Sequence, residues 1–235
     1  MALLVAFEGI DGSGKGTQAQ LLYNALKAQQ IAVSLITFPQ YQATGFGQQI
    51  ARFLNGDFGP LEHVHPVLAA ALYAGDRYES KAMIESAIAQ NEVVIFDRYV
   101  ASNIAHQGAR IPAEQRQQFI DWVLKTEHEV YGLPEAQMTF LLDVPVSVSQ
   151  ALVMRKAARD YTELSMDLQE SNTEYLAKVR DCYQLLASQQ RWHRIDCLTS
   201  EPDAETLADL SCLRTTEQIA AQIQDLVLPA HQASS

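Results

Sequence analysis

A chain of 235 residues has room for one α/β domain with a sizeable core, and its formal charge of −11 excludes a nucleic-acid polymer as main partner, since such binders carry a basic surface. Cys182, Cys197 and Cys212 are odd in number and form no C-x-x-C pair, which excludes a disulfide framework or metal knuckle and fits a reducing compartment. No apolar run approaches the roughly 20 residues that span a bilayer, so a soluble cytoplasmic protein without a membrane partner is expected.

The chain opens on "LLVAF" at 3–7, an apolar stretch too short for a secretory core and without a basic leader. It reads as a first strand. Directly after it, Gly9 and Lys15 set the G-x-x-x-x-G-K frame of a phosphate-binding loop. The hydroxyl residue expected after the lysine is missing: Gly16 stands there and Thr17 follows. Leu22, Ala25 and Leu26 then recur at helical spacing. A glycine loop between a strand and a helix is the context in which backbone amides at Gly9, Asp11, Gly12, Ser13 and Gly14 can face phosphate oxygens, with Lys15 adding a compact positive charge.

Further strands are expected at "VSLITF" (33–38), "VVIF" (93–96), "TFLLDV" (139–144) and "RIDC" (194–197). Five strands alternating with helical patterns predict an α/β fold, a parallel sheet with helices on both faces. His63 and His65 form an H-x-H pair without a third ligand at metal spacing and read as a solvated approach to a helix beginning at Pro66. Pro112 to Pro134 reads as one long helix closed by Gly132. Residues 199–214, including the acid-rich 200–209, have no clear period and read as a solvated loop or short excursion. A helix is expected from about Thr215, with Ile219, Ile223 and Leu226 on one face, and "HQASS" as a frayed tail.

Several residues carry chemistry on their own terms. "VVIFDRY" brings Asp97 and Arg98 to a strand's carboxyl end, where an acid suits a hydrated magnesium and a planar cation suits a bidentate phosphate grip. Tyr73 and Arg77 stand four apart on a helix, so an aromatic face and a guanidinium can reach one ligand. Arg155, Lys156 and Arg159 follow the fourth strand's helix, and Arg155 and Arg159 share a helical face. They are the basic residues from which a lid over 155–168 would draw its charge.

"GSGKGTQ" resembles the loops of nucleoside monophosphate kinases. Taken with "FPQY" (38–41), "LYAGDRYE" (72–79), "DRYVASNIAHQG" (97–108), "FLLDVP" (140–145) and "DLQE" (167–170) before "YLAKVRDCY", residues 1–197 resemble the thymidylate kinase family. The resemblance implies a single P-loop kinase domain over 1–235, assembled as a homodimer, transferring a phosphoryl group from ATP to dTMP with Mg²⁺. It further implies that Tyr73 stacks on thymine, that Arg77 reaches an exocyclic oxygen and that Asn103 completes the base's polar edge. Phe38 and Tyr41 would wall the acceptor cleft, with Ser102 and Gln107 near sugar and base. Asp11 would approach the 3′-hydroxyl, and Arg98 would hold the acceptor phosphate. Asp97, Thr17 and Glu170 are the magnesium candidates. Three departures stand out: His106 replaces a frequent tyrosine, "FPQY" lacks an arginine that some relatives carry, and Gly12 leaves the loop without an extra basic residue. Kinases for other monophosphates, or an idle nucleotide-binding module on the same fold, are the alternatives.

Overall fold

The computed structural model describes residues 2–160, 172–188 and 190–234. Five strands form one parallel sheet: β1 (Leu3–Glu8), β2 (Val33–Thr37), β3 (Val93–Asp97), β4 (Met138–Asp143) and β5 (Trp192–Asp196), in the order β2-β3-β1-β4-β5. From β1 the chain runs first to one side, through α1 (Lys15–Ala28) to β2 and back to β3, and later to the other side at β4. The order therefore reverses at β1. That reversal opens a crevice beyond the strands' carboxyl ends, where open α/β sheets bind ligands.

Alternation along β1 divides the core between the two faces. Leu3, Val5 and Phe7 pack with Leu22 and Leu26 of α1 and with Val179 and Ile223. Leu4 and Ala6 pack on the opposite face with Val94, Phe96, Ile104 and Ile120. Both faces being covered, β1, β3 and β4 read as nearly unbroken apolar runs. The remaining helices are α2 (Gly45–Leu54), α3 (Pro66–Glu79), α4 (Lys81–Gln90), α5 (Val100–Gly108), α6 (Ala113–Leu124), α7 (Val146–Asp160), α8 (Thr173–Leu186), α9 (Ala204–Asp209) and α10 (Thr216–Ser234). His65 caps α3, its Nδ1 accepting from the Val67 amide at 3.3 Å.

Three expectations are corrected. The helix from Pro112 changes pitch, since α6 continues into a π-helical turn at Lys125–Val130 before Gly132 closes it in the left-handed region (φ 65°). Such turns are rare and occur often at functional sites. The acid-rich tract is more than a loop: Asp203 and Thr206 form a capping box that supports α9, and Leu198 and Leu213 pair antiparallel around it. Six residues are too few for a helical period to show. The tail is not frayed, because α10 runs to Ser234, with His231 Nε2 3.1 Å from Glu92 Oε2 on the way.

Candidate active site

The phosphate loop lies between β1 and α1, with Gly12 and Gly14 in the left-handed region (φ 77° and 91°). Helix α7 presses on it. A Cβ at Gly12 would lie 2.6 Å from the Ser149 carbonyl oxygen and 2.8 Å from Val153 Cγ2, so no basic side chain fits there. Ser149 Oγ also donates to the Asp11 carbonyl, tying loop to helix. Gly16 has a comparable cause, since a Cβ there would come within 2.9 Å of Asp97 Oδ2. The missing hydroxyl thus leaves room for a carboxylate, and Thr17 follows it, exposed. Lys15 is buried, with Nζ donating to the Ile10 carbonyl at 2.8 Å. Burial and the nearby Arg98 charge lower its pKa to about 8, against the pull of Asp11, Asp97 and Glu8.

Opposite the loop, Asp97 pairs in register with Phe7 of β1, and the next residue turns sharply. Arg98 has φ 68°, a left-handed value uncommon outside glycine and asparagine. Its amide donates to the Phe7 carbonyl at 3.1 Å, and its guanidinium pairs with Asp11 and donates to Ser102 Oγ at 3.3 Å. Burial raises the pKa of Asp11, but the charges of Arg98, Lys15 and His106 outweigh it and hold the carboxyl at about 2. Beneath this turn lies Glu8, fully buried, accepting from the Tyr99 amide (2.8 Å), Ser102 Oγ (2.5 Å) and Tyr183 OH (3.0 Å). Its pKa is raised by burial despite those bonds. The carboxylate fastens the Arg98 turn and α5 to the end of β1.

An open cavity is lined in part by Asp11 and Arg98. Its lining includes Phe38, Tyr41, Tyr73, Arg77, Ser102, Asn103, His106 and Gln107, so the structure gathers the residues expected around the acceptor into one space, with Pro39 and Leu54 added. Asp76 braces the wall: its carboxylate accepts from the Gln40 amide (3.0 Å) and Thr44 Oγ1 (2.5 Å), fixing the "FPQY" segment to α3. His106 packs against Tyr175, Nδ1 lying 3.1 Å from the phenol oxygen. Asn103 Oδ1 and Gln107 Nε2, buried polar atoms of lining residues, have no hydrogen-bond partner among the described residues. A buried amide left so costs about 1–3 kcal/mol unless a ligand or water meets it.

Arg77 is less available than its spacing suggests. Its Nε and Nη2 donate to Glu127 at 2.5 and 2.6 Å, both side chains being 2% exposed or less. Removing one partner of such a pair strands a buried charge. Arg77→Ala is therefore expected to destabilise the fold by about 3–5 kcal/mol, read as a lowered thermal midpoint without nucleotide. A midpoint unchanged in the variant would show that Glu127 does not depend on Arg77.

The lid residues are placed less completely. Arg155 Nη1 donates to the Asp209 carbonyl at 3.3 Å, at the end of α9, and does not line the cavity. Arg159 and Lys156 lie on α7, but their side chains, like Glu170 altogether, fall outside the described residues. Among the described residues no cluster of three or more acidic, His or Cys side chains could cage a metal. Magnesium held largely by nucleotide phosphates needs only one or two protein carboxylates. The partly exposed Asp97 above Gly16, with Thr17 beside it, fits that need.

Glu8, Asp76 and Glu127 were not anticipated from sequence. A glutamate closing an otherwise apolar strand was the available signal for Glu8. Nothing local marks Glu127, a buried residue of the π-helical turn.

Comparison with known proteins adds independent findings. A family model described as "Thymidylate kinase" matches residues 7–207. The thymidylate kinase of Mycobacterium tuberculosis is 32% identical over 187 residues, covering 80% of this chain and 86% of the relative. A probable thymidylate kinase of Pyrobaculum aerophilum is 30% identical over 226 residues, covering 95% of each. The solved structure of thymidylate kinase from Candida albicans aligns with a TM-score of 0.69 at 21% identity, over 96% of this chain and 91% of that one, a likeness of fold.

Proposed function

The chain belongs to the thymidylate kinase family, and from that premise we propose that it transfers the terminal phosphoryl group of ATP to dTMP, giving dTDP and ADP. One observation carries the choice of acceptor. The same cavity is lined by the Arg98 guanidinium and by buried amide atoms on α5 without partners among the described residues, an acceptor on Asn103 and a donor on Gln107. Phosphate suits the first, and the N–H and carbonyl edge of a pyrimidine suits the second.

Phosphoryl transfer passes through a loose transition state and asks for positioning and positive charge rather than a covalent nucleophile. Lys15 and the loop amides hold the donor phosphates, and Arg98 holds the acceptor phosphate a short distance across the crevice. Asp11 keeps Arg98 oriented and meets the sugar's 3′ side, while Tyr73, Phe38 and Tyr41 enclose the base. Asp97 and Thr17 would hold Mg²⁺, with Glu170 as an outer ligand, and bound magnesium supplies charge neutralisation at the phosphate oxygens. Arg155 and Arg159 are the lid arginines that would approach the transferring group, Arg155 from a bond to the Asp209 carbonyl at the end of α9. A homodimer in the cytoplasm belongs to the same reading, supported by family membership and by three cysteines that are all free; no described helix is long and apolar enough to cross a membrane. The reading also takes 1–235 as one kinase domain.

ADP release measured across a panel of nucleoside monophosphates tests the proposal. Turnover with dTMP is expected to exceed that with dCMP or AMP by about 10²-fold or more in kcat/KM, because a site built to hydrogen-bond one edge leaves buried groups unpaired with another. ADP release with none of them would point to an idle module, and a preference for AMP to a different kinase.

A further inference from the structure

We infer that Glu127 sets the hydrogen-bond polarity of the acceptor cavity: its carboxylate fixes the Asn103 amide so that only an acceptor, Oδ1, faces the base, selecting thymine or uracil over cytosine. The inference rests on the acceptor site proposed above. Glu127 is fully buried and comes from the π-helical turn, not from any element that lines the cavity. Its Oε1 accepts from Asn103 Nδ2 at 3.0 Å, and the other Nδ2 hydrogen goes to the Ala70 carbonyl, also at 3.0 Å. Both amide donors are thereby spent on atoms that can only accept. Turning the amide over would set Oδ1 against a carboxylate and a carbonyl, with repulsion on both sides. Oδ1 is left over, buried in a residue that lines the cavity and without a partner among the described residues.

An inward acceptor meets the N3–H of thymine or uracil. Cytosine presents a bare N3 lone pair to the same place, and two acceptors face to face repel in a buried site. Arg77 completes the device from the other side. Its two bonds to Glu127 hold the carboxylate in one orientation and balance its charge. Glu127 touches no substrate in this arrangement. It is a positioning residue, acting through Asn103.

Glu127→Gln keeps the shape but supplies an NH₂ that can face Asn103 and let its amide turn over. Steady-state kcat/KM for dTMP and dCMP would be measured in the parent, Glu127→Gln, Asn103→Ala and the double variant, with thermal midpoints alongside. The dTMP-to-dCMP ratio is expected to narrow by about tenfold or more in Glu127→Gln, the size of one buried mismatch. Adding Glu127→Gln to Asn103→Ala should change that ratio by less than about twofold, since the route through Asn103 is already gone. Equal losses for both nucleotides in Glu127→Gln would overturn the inference, as would a full Glu127 effect on the ratio without Asn103. A parent that does not prefer dTMP would overturn the acceptor assignment itself. A measurement on the unmodified protein covers a variant that does not fold. The Asn103 side-chain amide protons should exchange with solvent far more slowly than exposed amides, and stay protected when dTMP is added. Exchange as fast as that of exposed amides would overturn the inference.

Discussion

Lys15→Ala is expected to lower turnover by at least about 10²–10³-fold, the effect of removing a positive group aimed at charge that develops in the transition state, while the affinity for dTMP stays within about threefold. The division follows from placement: Lys15 lies in the loop and does not line the acceptor cavity, its ammonium resting on the Ile10 carbonyl. Calorimetry with dTMP alone, beside single-turnover kinetics, separates the two sides. Lost dTMP binding in a folded variant would move the lysine to the acceptor. A pH arm belongs with it. The Lys15 pKa is lowered to about 8, so it is charged below that pH and loses its proton above. Only the charged form attracts phosphate. ATP affinity is thus expected to fall by up to tenfold per pH unit above about 8, with proton uptake on binding there. Lys15→Ala should remove both.

Arg98→Ala is expected to lower kcat/KM for dTMP by about 10²–10⁴-fold, the range for truncating one member of a largely desolvated, hydrogen-bonded charge contact once phosphate covers it. Arg98→Lys should recover little, because a point charge does not reproduce a planar fork that spans Asp11, Ser102 and a phosphate. Loss below about threefold in the alanine variant would remove Arg98 from the acceptor phosphate. Acid stability offers a second reading. Asp11 has a folded pKa of about 2 against an ordinary 3.8. The parent therefore holds stability from this carboxylate above pH 3.8 and loses it as pH falls toward 2. Without Arg98, its principal neighbouring cation, that dependence should flatten.

The sheet was legible because β1, β3 and β4, buried on both faces, are nearly continuous apolar runs, and the phosphate loop because its glycines and lysine are adjacent in sequence. Motif resemblance did the rest at the cavity, naming residues from three separate stretches that the fold then gathers. What stayed hidden depends on contacts between distant parts of the chain. Gly12 looked like a deficit of charge, yet its cause is α7, which leaves no space for a side chain. Arg77 looked free to meet a base, yet a glutamate fifty positions away takes two of its donors. The change of pitch at Lys125–Val130 follows no periodicity that a helical pattern could reveal, and Glu127 was missed with it.

The left-handed backbone at Arg98 has a bearing on attempts to harden this protein. Glycine adopts φ 68° freely, whereas arginine held there costs of order 1–3 kcal/mol. Arg98→Gly would release that strain but would also leave Asp11 without its ion-pair partner, so the two effects on thermal endurance oppose one another. Heat resistance is therefore a poor guide at position 98, which is one to freeze before any consensus or computational redesign begins.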